Sequence, residues 1–449
     1  MGGDHANPRR VRRMIACVLL MGYASVEASA RVELPLHHRA LLAGVSSVDL
    51  VNKKATQYFA PVSMDGKTYN VQVDTGSSDL WFACDAIAPS QCSNSSCPAT
   101  SRTIQYGSGS VCIDQNNGTF GLGSLIVPNA IYGIGIKSNV LVDGNQGILG
   151  LSFPSISVFG NSGVTSNSTK QYPIQFLDRF SMYLTSPEDE AGSKLVLNGE
   201  DDDRIARDKL VGYKIPLKET THWTIQIRSL EVENDIQRNF TQPCSVAGSC
   251  LAIVDSGTTF LSMPSVLFKK FAITYLKPGT PQGCAFDTQS QYYICPKDIA
   301  LPKLAIGLGE TASFVLNSWD YSWVHSETEI IVQIQRNPAS GSLADRWILS
   351  ATFLKVYYTT YHVTDQAITF YCKNGGVCAG GSNLLDFSGK KPIWAMVLMI
   401  TGGCLFAIGL IGGVVFLVQR RKRGREKGHR PADYLRVDDR RESSPVLLA

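Results

Sequence analysis

The chain is poor in metal ligands and in helix-forming patterns. Its seven histidines are scattered through 449 residues with no HExxH, and no paired CxxC occurs. That argues against a zinc enzyme or a zinc-folded module, and no metal or other cofactor is expected. Convincing helical periodicity is scarce between Tyr58 and Tyr371, with "PIQFLDRF" and "PSVLFKKFAITYL" the better candidates. A basic face is missing as well. The net charge of +4 resolves into +5 for the tail from Gln419 and +2 for residues 1–30, which leaves about −3 for everything between. No nucleic-acid partner is expected from such a balance.

What remains is a globular composition, 44% hydrophobic and 18% charged, with a length that allows about three domains. Short runs of Val, Ile, Tyr and Thr, punctuated by Gly, Asn and Pro, predict mostly-β architecture.

The ends are different. Arg9, Arg10, Arg12 and Arg13 precede an apolar stretch from Met14 to Tyr23, and Ala28-Ser29-Ala30 has the form of a cleavage site, so residues 1–30 read as a secretory signal peptide. The 26 residues from Ile393 to Val418 carry no charge and are long enough to cross a bilayer as a helix. Arg420, Arg421, Lys422 and Arg423 follow, which by the positive-inside rule puts the tail, residues 419–449, in the cytosol. A lipid-anchor signal would end in its apolar stretch, whereas 31 residues follow this one. The expectation is a single-pass type I membrane protein with an extracellular or lumenal body, at the cell surface. Tyr434-Leu435-Arg436-Val437 resembles a sorting signal and keeps an endosomal or vacuolar location open.

Cys17 and Cys404 lie in the two apolar segments; the other ten of twelve cysteines fall where disulfides are permitted. Local closures would pair Cys92 with Cys97, Cys244 with Cys250, Cys284 with Cys295 and Cys372 with Cys378, leaving Cys84 with Cys112, though spacing alone does not fix connectivity. Sequons at Asn94, Asn117, Asn167 and Asn239 suit a glycosylated ectodomain.

The chemistry lies in a pattern that occurs twice. "YNVQVDTGSSDLW" runs an alternating strand into Asp74, then Thr75, Gly76, Ser77 and Ser78. One such stretch is an ordinary strand ending in an Asx turn. "AIVDSGTTFLSMP" repeats it 181 residues later with Asp255, Ser256, Gly257, Thr258 and Thr259. Two matched half-sites about a domain apart imply two related lobes, each supplying one carboxylate.

Other motifs appear in order around them. "IQYGSGS" at 104–110 contains Tyr106, Gly107 and Ser108, and Trp81 stands seven residues after Asp74. "QGILGLSFPSIS" begins at 146, "FSMYLTS" and "SKLVLNGED" follow, "HWTIQIRSLEV" opens the second half, and "WILSATFLKVYYTTYHV" starts at Trp347. Together these resemble the pepsin family of aspartic proteases over nearly all of residues 57–371. The resemblance implies a bilobal fold with a central cleft, Asp74 and Asp255 at its floor, and Tyr106 on a mobile flap held by Trp81. Its lobes would span residues 55–208 and 209–372, with a stalk at 373–392. It also implies an aspartic endopeptidase, monomeric, that binds protein or peptide in extended form and needs no cofactor. Side by side, two carboxylates cannot both ionise; one activates a water and the other protonates the substrate carbonyl. Gly76 and Gly257 would let backbone amides come close, and the hydroxyls of Thr75, Ser77, Ser256 and Thr258 would fix the loops.

Two departures stand out. Ser350-Ala351 replaces the family's usual Gly and frequent Asp, so a shift of the second loop is expected. Residues 31–54 form at most a short pro-segment, with Lys53-Lys54 as a candidate processing site. A non-catalytic peptide-binding protein on the same scaffold is the main rival, but it has no need of both aspartates, both glycines, the hydroxyls and the tyrosine.

Overall fold

A computed structural model describes residues 44–92, 97–140, 144–160, 171–186, 189, 191–235, 240, 251–309, 312–373 and 378. The signal peptide, the apolar run at 393–418, the tail, the sequons at Asn94, Asn167 and Asn239, and the Cys244–Cys250 pair lie outside them. Among the described residues no helix is long and apolar enough to cross a membrane.

The first hairpin shows how the sequence sets its register. Gln57–Met64 pairs antiparallel with Lys67–Asp74, Met64 opposite Lys67. The two residues between them, Asp65 and Gly66, both have positive φ, 50° and 82°. That is the two-residue turn whose twist matches the strands, and Asp-Gly suits it. The register then carries Asp74 to the inner end of its strand.

Eight strands form the first lobe's sheet, in the order Val51–Lys53, Gln57–Met64, Lys67–Asp74, Gly147–Gly150, Leu80–Ala83, Leu125–Ser138, Gly109–Leu122 and Arg102–Tyr106. Seven form the second: Ala312–Leu316, Leu304–Leu308, Thr224–Val232, Leu251–Val254, Trp347–Leu349, Leu261–Met263 and Ile334–Arg336. A local crossing is common to both. In the first lobe Gly147–Gly150 lies parallel to the Asp74 strand and antiparallel to Leu80–Ala83. In the second, Trp347–Leu349 lies parallel to Leu251–Val254, which leads into Asp255, and antiparallel to Leu261–Met263. The duplication read from two tetrapeptides therefore extends to strand topology.

A six-stranded sheet joins the lobes. It runs in the order Ser46–Asp49, Lys194–Leu197, Arg179–Tyr183, Tyr358–His362, Ala367–Lys373 and Leu210–Pro216, so the two halves meet where Arg179–Tyr183 pairs with Tyr358–His362. On it Phe180 and Tyr361 stack, with ring centroids 4.7 Å apart. Trp223 meets Tyr361 edge-on and also touches Phe153 of the first lobe, and its indole N–H donates to Leu151 O at 2.8 Å.

Several expectations need correcting. "PIQFLDRF" is not a helix: Pro173–Phe176 makes one 3₁₀ turn and Arg179–Tyr183 is already a strand paired on both sides, since four residues cannot repay helix nucleation. "PSVLFKKFAITYL" does form a helix, Ser265–Phe271, with a wider turn at Ala272–Leu276. The disulfides of the first lobe are Cys84–Cys92 and Cys97–Cys112, not Cys92–Cys97 and Cys84–Cys112. Cys112 sits on the long hairpin strand opposite Thr103, and the chain from Cys97 returns along that same hairpin, so Cys97 is its neighbour. Cys284–Cys295 and Cys372–Cys378 pair as expected. Within the expected pro-segment, Ser46–Asp49 and Val51–Lys53 are strands and Val48, Leu50 and Asn52 are buried, which leaves that expectation as it stands. Lys53-Lys54 opens a tight turn, and cutting there would separate Val51–Lys53 from the strand it pairs with.

Trp223 touches both lobes and the shared sheet, so its loss is expected to destabilise the whole body. Trp223→Ala should cost about 3–5 kcal/mol and Trp223→Phe, which keeps a ring but strands the Leu151 carbonyl, about 1–3 kcal/mol. Urea unfolding at fixed pH measures both, and equal costs would mean that the ring kept by Phe contributes nothing beyond the lost hydrogen bond.

Candidate active site

The two aspartates end equivalent strands, and each loop after them folds in the same way. The Gly76 amide donates to Asp74 Oδ1 at 2.8 Å and the Ser77 hydroxyl to Asp74 Oδ2. The Gly257 amide donates to Asp255 Oδ1 at 2.7 Å and the Thr258 hydroxyl to Asp255 Oδ2 at 2.6 Å. Both carboxylates are almost wholly buried, with 5% and 8% of their surface exposed.

The loops are locked to each other by an exchange across the lobes. The Thr75 amide donates to Ser256 Oγ at 3.2 Å and the Ser256 amide to Thr75 Oγ1 at 2.9 Å. Each hydroxyl passes its own proton to the strand beyond: Thr75 Oγ1 donates to Val254 O at 2.9 Å, Ser256 Oγ to Val73 O at 2.8 Å. Both loop amides and both strand carbonyls are thereby paired. The glycines are required by proximity. A Cβ on Gly76 would fall 2.5 Å from the Asp255 carboxyl carbon, and one on Gly257 would fall 2.2 Å from Asp74 Oδ1. Each carboxylate thus lies against the other lobe's glycine.

A family model for eukaryotic aspartyl proteases matches residues 57–371. The chain belongs to that family. It is 29% identical to pepsin A of Gallus gallus over 72% of this chain and 86% of that protein, and 26% identical to gastricsin of Macaca fuscata fuscata over 70% and 83%. The fold also resembles that of the aspartic proteinase from Irpex lacteus, at 20% identity and a TM-score of 0.56, covering 77% of this chain and all of the other. The protease is an aspartic endopeptidase.

Electrostatics of the pair follow from its burial. Desolvation first, and then the Asp255 charge beside it, push the Asp74 carboxyl well above the usual carboxylate range, against the stabilising bonds from Ser77 and the Gly76 amide. The pair therefore keeps one proton under conditions where isolated carboxylates have lost theirs, and can present an acid and a base side by side.

The segment expected to be a flap is a hairpin of Arg102–Tyr106 and Gly109–Leu122, turning through Gly107 and Ser108, both exposed. Its register sets Tyr106 opposite Gly109. The buried Trp81 donates its indole N–H to Tyr106 Oη at 2.8 Å. The tip reaches the second lobe, where a methyl on Gly107 would sit 3.2 Å from Pro338. Thr259, expected among the substrate-binding residues, donates its hydroxyl to Thr56 O at 2.9 Å, another tie between lobes. Asn117 lies exposed on the hairpin strand, accessible to a glycan.

Ser350 does not displace the second loop, whose bonds to Asp255 match those made to Asp74. Its counterpart Gly150 admits no side chain, since a Cβ there would come within 2.5 Å of the Ser78 and Asp79 backbone. At Ser350 the hydroxyl instead donates to Thr259 O at 3.0 Å and accepts from the Thr352 amide at 3.2 Å, capping the turn Ala351–Leu354. The side chain is buried with both of its needs met.

The sequence reading missed two supports. Gln72 Nε2 donates across to Gly257 O at 3.0 Å. Asp79, nearly fully buried, accepts from the Ser157 hydroxyl and, at 3.2 Å, from the Val158 amide, pinning the loop that carries Phe159 against Trp81. A carboxylate in "DTGSSDLW" where the second half has Phe260 was the available signal.

Gly257→Ala should keep the fold but lower kcat by about a hundredfold or more, because a displacement near 1 Å of a reacting group costs that much; near-wild-type turnover would contradict the close approach. Acid also bears on stability. Asp74, Asp79 and Asp320 are all raised by burial, so the native state holds protons that the unfolded chain releases above about pH 4. Their contribution is complete below that point and falls as pH rises through the native values. His222 and His362 are lowered by burial and oppose this through about pH 6.5, where the unfolded chain binds more protons. Asp74→Asn should flatten the fall between about pH 4 and 6 in thermal melts, and an unchanged slope would move the linked proton elsewhere.

Proposed function

We propose that Asp74 and Asp255 are the catalytic pair of a membrane-anchored protease whose body lies outside the cytosol. The observation that carries the reading is the reciprocal cradle: each carboxylate accepts an amide and a hydroxyl from its own loop while lying against the glycine of the other. The ionised member takes a proton from a water between them, which attacks the peptide carbonyl. The protonated member donates to the carbonyl oxygen, and a proton then passes to the leaving nitrogen. Tyr106 and the flap close over an extended peptide and exclude bulk water. One chain supplies both aspartates, so a monomer is sufficient.

Membrane attachment rests on the uncharged run from Ile393 to Val418 with its basic flank, and entry into the secretory pathway on residues 1–30. Four sequons and the disulfides suit that compartment. A body tethered by a short stalk would act close to the bilayer, at the cell surface or in an endosomal or vacuolar lumen.

The test is cleavage of an unfolded protein from pH 3 to 7 by the purified full chain. Activity in acid, abolished by Asp74→Asn, by Asp255→Asn and by a statine-type transition-state inhibitor, is expected. Folded enzyme that binds the inhibitor and cuts nothing would favour the peptide-binding reading. Alkaline extraction should leave the full chain with membranes and release a chain ending before Ile393; release of both would remove the anchor from the proposal.

A further inference from the structure

Each aspartate has a neighbour on the strand antiparallel to its own. Phe59 pairs with Gln72, so the register continues to set Gln57 beside Asp74. Thr224 pairs with Ile253 and the Val254 amide donates to Trp223 O at 2.9 Å, so the same continuation sets His222 beside Asp255. Residues opposite each other on antiparallel strands share a face of the sheet. Gln57 and His222 are both half-buried, and each is followed by a wholly buried aromatic residue, Tyr58 and Trp223. The pair thus has two flanks related by the duplication. One carries an amide that never ionises, the other an imidazole that titrates.

His222 is held from both lobes. The Thr220 and Thr221 carbonyls accept from Ser155 and Ser152 of the first lobe at 3.4 and 3.3 Å. Its own carbonyl accepts from the Thr224 amide at 2.7 Å, and its Nδ1 lies 3.4 Å from Thr221 Oγ1. The charged groups facing it are Asp255, Arg346 and Glu219. Arg346 forms a two-pronged ion pair with Glu219 at 2.6 and 3.0 Å, with only 11% of its side chain exposed. That pair neutralises itself, so the imidazole is the variable charge on this flank.

We propose that His222 is a specificity-determining residue, whose imidazolium form receives a carboxylate side chain of the peptide on the Asp255 flank of the scissile bond. The proposal rests on the assignment of Asp74 and Asp255 as the catalytic pair. Selection for acidic residues then exists only within a window of pH. The substrate carboxyl must be ionised, above about pH 4, and His222 must hold its proton, below an edge that lies under the ordinary imidazole value of about 6.5. Burial lowers that upper edge, Asp255 raises it, and Arg346 and Glu219 act in opposite directions.

Matched peptides with Glu or Gln at each of three positions on either side of the scissile bond test this, with kcat/KM of the full-chain enzyme followed from pH 3 to 7. At one position on one flank the Glu:Gln ratio should rise about fivefold inside the window, the worth of a half-exposed ion pair, and fall back on either side. His222→Gln should hold the ratio flat, and His222→Lys should keep it high to the top of the range. The ratio cancels any change in overall rate, and the wild-type profile requires no variant. Cleavage of both peptides at a ratio unchanged with pH, or a window surviving in His222→Gln, overturns the role of His222 alone. Cleavage of neither by the wild type overturns the catalytic pair itself.

Discussion

The structure depends on a reciprocal exchange of hydrogen bonds between two loops that have no covalent connection nearby. Thr75 and Ser256 each give a backbone amide to the other's hydroxyl and send their own hydroxyl proton to the other lobe's strand. The exchange places two carboxylates in a nearly dry crossing, where neither would persist alone as an ion. An alanine at either position would strand both a buried amide and a carbonyl on the opposite lobe, so the motif requires hydroxyl residues at both places. The same closeness excludes any side chain at Gly76 and Gly257.

Everything beneath the exchange serves to bring the loops to the same point. In each lobe a strand enters the crossing parallel to the aspartate strand, which fixes the height of the loop from below. Trp223, Phe180 and Tyr361 fill the space between the lobes and the shared sheet, and Tyr361 Oη reaches to 3.5 Å from Thr75 Oγ1. Gln72 and Thr259 add ties from either side. Most of these polar groups are buried and paired, and such networks specify one arrangement at the cost of tolerating little change.

The repeated Asp-x-Gly pattern was legible because its chemistry is local: a carboxylate, a glycine and hydroxyls at fixed offsets determine one loop, and two copies determine a pair. The bond from Trp81 to Tyr106 was legible through the resemblance to the pepsin family. The helix expected at "PIQFLDRF" failed because apolar spacing over eight residues does not distinguish a helix from a turn followed by a sheet strand. Disulfide pairing in the first lobe failed because nearness in sequence is a poor guide once a hairpin brings Cys97 back to Cys112. The strands at 46–53 were hidden by their shortness, since their burial is created by partners more than a hundred residues away or by a turn of positive φ at Lys54 and Ala55. His222 and Gln57 were invisible because their meaning comes only from register with the aspartates.

The duplication also bears on how one fold can supply an acid and a base. A pair made symmetric in every contact would have no reason to favour either placement of its proton. The backbone here is close to symmetric, whereas the residues just behind the loops are not. Ser77 answers to Thr258, Gly150 to Ser350, Asp79 to Phe260 and Gln57 to His222. Three of these four substitutions leave the bonds to the carboxylates in place, because the exchange between Thr75 and Ser256 already fixes the loops. The fourth, at position 77 and its counterpart, exchanges one hydroxyl donor for another. A buried carboxyl at Asp79 on one side and an ionisable ring at His222 on the other place unequal charge around equal geometry. Positional symmetry and electrostatic asymmetry are separable here because hydrogen bonds carry the first and the second is left to residues that do not touch the crossing.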